Sequence, residues 1–182
     1  GAGSFRSEAL IKSLMSKIGT DDKIYLITTY PNRYKDYFVE TEDFEVGEKL
    51  IIKRIKLPNY FNGNFRMIIN FIFYFISTIR IAFAKDISIV FATSSRLMTG
   101  VLGSLISRLL NAKYYLDIRD IFLLNINEMY SKKITFFLSP ILYLLEKFMI
   151  NKASTINLNS KGFSDYFKKN ILTKIIISLQ ME

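Results

Sequence analysis

Apolar positions change their period repeatedly along the chain, from a spacing of three to four residues to short unbroken runs and back. In "SFRSEALIKSLMSKI", Leu10, Leu14 and Ile18 stand four apart with Ile11 beside them, which predicts an amphipathic helix. Ser4 is placed to cap it, and Glu8 lies near its positive end. "KIYLITT" predicts a strand, stopped by Tyr30-Pro31-Asn32. The polar, acidic stretch from Asn32 to Glu48 reads as a loop, and "KLIIKRIKLP" as a second strand ended by Pro58. Phe65 to Ala84, apolar almost all round, predicts a long helix. "ISIVFAT" is a third strand, Leu97 to Leu110 a helix, and "KYYLDIR" a fourth strand. Ile134 to Ile150 predicts a helix reached through Ser131-Lys132-Lys133. "ASTINLN" and "KIIIS" then read as two last strands around a short helix from Ser160 to Lys168.

Strands alternating with helices, with the strands short and apolar, predict a parallel sheet covered by helices on both faces. The expected fold is α/β: a Rossmann-like three-layer sandwich with a mostly parallel sheet, formed by residues 1–182 as one domain. In such folds a first strand feeds the first glycine-rich turn. Here the turn opens the chain, and an apolar strand, "KIIISLQME", closes it. The pattern therefore reads as a domain lacking its first strand, taken from a larger protein.

Composition narrows the chemistry. The formal net charge of +9 points to an anionic partner. There is no cysteine, which excludes disulfides and thiolate metal sites, and no histidine, which excludes Ser-His-Asp catalysis and His-based zinc. Acid–base work falls to Asp, Glu, Lys or Tyr. The N-terminal "GAGSFRSEAL" lacks the features of a signal peptide. The longest apolar run, Met67 to Ile79, is shorter than the roughly 20 residues of a spanning helix. A cytoplasmic protein is expected, with peripheral membrane contact through Phe65–Ala84, a helix flanked by Arg66, Arg80 and Lys85. A core position for that helix is the alternative.

Ligands of open parallel sheets bind outside the carboxyl ends of the strands. Those ends are Thr28-Thr29-Tyr30, Pro58-Asn59, Thr93-Ser94-Ser95-Arg96, Arg119-Asp120 and Asn159-Ser160-Lys161, which suits a hydroxyl-rich ligand. "GAGS", Gly1 to Ser4, precedes a helix as a phosphate-binding turn does, although Arg6 stands where a third glycine would. An ordinary turn or a cloning scar accounts for it equally. In "ATSSRLMTG", capping of the next helix by Ser94 or Ser95 is a sufficient account. "KYYLDIRDIF" carries Asp117, Arg119 and Asp120 in what reads as a buried strand. Alternation puts Asp117 and Arg119 on one face, where they can pair, and Asp120 on the other, facing the cleft.

In their order, "GAGSFRSEAL", "YLITTYPNRY", "VFATSSRLMTGVLGSLISRLLNAKYYLDIRDIF" and "LEKFMINKASTINLNSKGF" resemble the N-terminal domain of bacterial GT-B glycosyltransferases. The resemblance is nearest to the retaining, family-four-like enzymes of O-antigen, capsule and other surface-polysaccharide biosynthesis, and covers nearly the whole chain. It implies one half of a two-domain enzyme: an acceptor-side domain, with the nucleotide-sugar gripped by a C-terminal domain absent from this sequence. It implies further that Gly1, Gly3 and Ser4 approach the donor phosphates, that Thr93, Ser94, Ser95 and Arg96 line the acceptor cleft, and that Arg119 and Asp120 are catalytic. Glu146 is expected to be structural. Related families carry a His-Asp pair where Arg119-Asp120 stands, so Asp120 is left to orient or deprotonate the acceptor hydroxyl. Ser95-Arg96 and Ile121-Phe122 replace the usual Pro-Pro and Trp-Pro, so acceptor identity does not transfer.

The expected activity is sugar transfer from a nucleotide-sugar donor to a glycan acceptor linked to polyprenyl diphosphate, with no cofactor and no metal. The isolated piece is expected to be inactive. The alternative is a non-catalytic Rossmann-like module that binds a nucleotide or an acidic surface. Nucleic acid is disfavoured, because the Lys and Arg are scattered and the aromatics lie in apolar runs.

Overall fold

A computed structural model describes residues 2–30, 42–58, 63–94, 96–122, 131–158 and 160–170. The chain is mixed α/β and divides into two units, Gly1–Arg80 and Ile81–Glu182, each with its own small sheet.

The first unit starts with helix α1, Ala2–Met15, whose exposed face carries a Glu8–Lys12 ion pair one turn apart. Strand β1, Ile24–Thr29, runs parallel to β3, Leu50–Ile55, in the register Ile24↔Leu50 to Thr29↔Ile55. Lys49, just before β3, reaches the carbonyls of Met15 and Ile18, placing a cation on the negative end of α1. Helix α2, Gly63–Phe83, is tied to β1 by the Tyr74 hydroxyl, which donates to the Ile27 carbonyl.

Three expectations change here. Phe44–Val46, inside the stretch read as loop, is a strand, β2, antiparallel to β3. Its three residues are too short and too acidic to register as a period, and the pairing is held partly by Glu45 reaching Arg54 across the strands. Gly3 and Ser4 lie within the first turn of α1, so Ser4 is not its cap. Finally, α2 contains an 18-residue window, Arg66–Phe83, long and apolar enough to cross a membrane. Thr78 and Arg80 interrupt the apolar run without lowering its mean hydropathy below the level of a span.

In the second unit β5, Lys113–Ile118, lies between β4, Ile89–Ser94, and β6, Thr155–Leu158, and is parallel to both. Tyr114, Leu116 and Ile118 alternate onto one face and are buried with Ala92, Val101, Met149, Ile150, Ile156 and Leu158. Helix α3, Leu97–Leu109, lies close over this face: a Cβ at Gly103 would stand 2.7 Å from the Ala92 Cβ and 2.9 Å from the Tyr114 ring. The Tyr114 hydroxyl donates to the Gly100 carbonyl at 2.6 Å. Asn111, at a φ of 52°, turns the chain from α3 into β5 in the left-handed conformation that asparagine tolerates. Helix α4, Lys132–Lys152, adds Met149 and Ile150 to the core, and α5, Lys161–Asn170, adds Phe167.

In place of the one mostly parallel sheet expected, the described residues form two three-stranded sheets, of which the second is wholly parallel. The closing strand expected in "KIIIS" lies outside the described residues.

Candidate functional site

The polar face of the second sheet is built by register. Thr93 in β4, Asp117 in β5 and Asn157 in β6 are successive partners across the parallel strands, so their side chains form one row. Asp117 accepts from three side chains around it: Thr93 Oγ1 at 3.2 Å, Asn157 Nδ2 at 2.6 Å and Arg119 Nε at 3.2 Å. The Asp117 side chain is 4% exposed and that of Arg119 18%. A buried carboxylate is tolerated only when its oxygens are hydrogen-bonded, and these three donors supply that. The guanidinium is held by Asp117 through Nε. The pairing of Asp117 with Arg119 expected from alternation is present.

Asp120 follows, half-buried, and accepts no hydrogen bond from a described residue. Its position is set on both sides. Ile118 is fully buried before it, and Ile121 is buried after it. The Phe122 amide then donates to the Glu146 carboxylate at 3.2 Å. Glu146, fully buried in α4, also accepts from the Tyr166 hydroxyl of α5 at 3.5 Å. It therefore anchors the segment that carries Asp120, a structural role. Burial first, then the charge of Glu146, pushes the Tyr166 hydroxyl up to about 12.

Thr93 and Ser94 do not share a surface. Thr93 belongs to the Asp117 row, whereas Ser94 alternates to the core face, fully buried, with no hydrogen-bond partner for Oγ among the described residues. The Ser94 side chain does not cap α3. Its N-cap is Arg96, in extended conformation and without a side-chain cap hydrogen bond, because Ser94 is still part of β4. The Arg96 side chain is exposed. Gly1 and Ser95 lie outside the described residues, as do the side chains of Gly3's neighbours Ala2 and Ser4. Of the expected residues, Thr93 and Arg119 are therefore brought together through Asp117, and Asp120 follows Arg119 in the chain.

Asn157 is the residue that sequence reasoning missed. Its signal was the shared position near the strand ends "ATS", "LDI" and "INL", where one polar residue precedes a buried one in each. No protein-family model matches the chain, and no curated protein matches it.

Proposed function

We propose that the chain is the acceptor-side, Rossmann-like half of a GT-B glycosyltransferase that moves a sugar from a nucleotide-sugar to a lipid-linked glycan. The observation that carries this reading is the polar row Thr93–Asp117–Asn157, which holds Arg119 beside Asp120 at the carboxyl edge of a parallel sheet. Ligands of such sheets bind at that edge. Asp120, lacking a hydrogen-bond donor among the described residues, has acceptor capacity for a substrate hydroxyl, orienting it or taking its proton. Arg119 cannot serve as a base, but a guanidinium held through Nε offers the remaining fork to phosphate oxygens as diphosphate departs. The donor is held by a further domain. Membrane contact through α2 fits the same acceptor, since Met67, Ile68, Ile72, Phe73 and Ile76 are exposed between Arg66 and Arg80.

The test is transfer by the complete protein from nucleotide-sugar to polyprenyl-diphosphate-linked acceptor. Asp120→Asn and Arg119→Ala should each abolish turnover while leaving the circular-dichroism spectrum unchanged. Full turnover by Asp120→Asn overturns the assignment of Asp120. Salt-sensitive DNA binding with no response to acceptor lipid overturns the whole reading. Nucleotide binding without transfer by the complete protein favours a non-catalytic module.

A further inference from the structure

Helix α4 is apolar on two opposite sides, and a globular fold needs only one. Its inner side supplies Met149, Ile150 and Glu146 to the interior. Its outer side carries Phe136 at 76% exposure, Phe137 at 73%, Ile141 at 54% and Leu144 at 63%, with Pro140 also exposed among them. The positions 136, 137, 140, 141 and 144 follow the helical period, so they form one continuous stripe. Phe136 and Phe137 meet edge to face, with ring centroids 5.6 Å apart. Such a stripe in water is unfavourable unless something covers it.

Charge says what. The exposed ionisable residues on α4 are Lys132, Lys133 and Lys147, while its single carboxylate, Glu146, is fully buried. Lys133 and Lys147 lie at the two ends of the stripe, about 21 Å apart along the axis at 1.5 Å per residue. Lys132 and Lys133 sit in the first turn, against the positive end of the helix, and that turn contains no acidic residue. They weaken the isolated helix there and favour an external anion. A second copy of the chain would bring like charges together around a shared stripe, which disfavours it as the occupant.

We propose that the outer face of α4 lies in the interface of an anionic phospholipid membrane, with Phe136, Phe137, Ile141 and Leu144 among the acyl chains and Lys132, Lys133 and Lys147 at the phosphates. This surface is separate from the α2 contact, and it stands whether or not the protein transfers sugar. A helix with an aromatic and aliphatic face edged by lysines binds in this manner, through buried apolar area plus attraction to acidic lipid.

Vesicle flotation tests it, with phosphatidylcholine alone and with added phosphatidylglycerol. The protein should float with the acidic vesicles only and be released by salt. The double variant Phe136→Ser/Phe137→Ser should lose affinity at least about tenfold, with an unchanged melting temperature. Phe137→Trp should blue-shift on acidic vesicles and become shielded from aqueous iodide. Three results overturn the proposal: no binding to acidic vesicles, undiminished binding by the double serine variant, or a tryptophan already shielded without lipid. Conversion of an oligomer to monomer by the serine variant, without a change in lipid binding, also overturns it and assigns the stripe to a second copy. None of these readouts depends on donor or acceptor, so failure here is distinct from loss of transfer.

Discussion

Replacing Asp117 with Ala removes the acceptor that holds Arg119 Nε among the described residues, and it strips Asn157 Nδ2 and Thr93 Oγ1 of the same partner. Losing one side of a buried ion pair costs about 3 kcal/mol or more, mostly because the other charge stays buried. Asp117→Ala should therefore lower the unfolding free energy by about that amount in urea titration. Asp117→Asn, which keeps one acceptor oxygen, should lose about 1 to 3 kcal/mol. Tyr166 gives a pH signature. Its hydroxyl is raised from 10.0 to about 12, so the folded chain holds this proton more tightly than the unfolded one. That contribution to stability is complete below pH 10 and is lost as the pH rises through 12. Tyr166→Phe should accordingly flatten, though not abolish, the fall in stability over that range, because burial also raises Tyr74 and Tyr114. Equal slopes for the two proteins would contradict it.

Among the elements, α4 makes opposite demands on the same two side chains. Lys132 and Lys133 occupy the first turn, and Ser131, the N-cap, makes no side-chain cap hydrogen bond. Exchanging Lys132 and Lys133 for Glu places negative charge at the positive helix end, worth roughly 0.3 to 1 kcal/mol each at low salt. The double Glu variant should thus melt higher than the parent protein yet bind acidic vesicles more weakly. A variant that melts higher with unchanged vesicle binding separates the lysines from the membrane. Helix α3 shows the reverse situation, since nearly every position is committed to packing. Gly103 and Gly100 face Ala92, Tyr114, Leu116 and Met149, and the closeness of α3 to the sheet depends on those small residues.

Packing quality differs between the units of the molecule. The largest fully buried side chains among the described residues, from Tyr114 and Phe167 to Ser107, all belong to Ile81–Glu182. In Gly1–Arg80 the strands β1 and β3 are mostly half-buried, with Ile55 the buried exception. Local stability follows buried apolar contact. Native-state hydrogen exchange should find the β5 amides slower than those of β3 by about tenfold or more, with α3 nearer to β5. Equal protection of the two strands would show that exposure is a poor guide to local opening here. The net charge of +9 acts at the same scale, drawing the molecule toward acidic surfaces with a strength that salt reduces.

Most of this architecture is written in the local pattern. Period and breakers located α2, α3, α4, β4, β5 and β6 to within a few residues, because helix and strand spacing express a buried face that neighbouring residues alone report. The same alternation paired Asp117 with Arg119 and placed Asp120 beyond them. Other features required the third dimension. Strand β2 exists by pairing with β3, and a three-residue strand has no period of its own. Asn157 joins Asp117 because parallel register brings together residues 40 apart in the chain. The direction of Ser94 into the core, away from Thr93, depends on which sheet face α3 covers. The outer stripe of α4 could not be told from a core face, since apolar spacing looks the same whether it meets protein or solvent. Burial is a property of neighbours distant in sequence, and only the tertiary structure decides it.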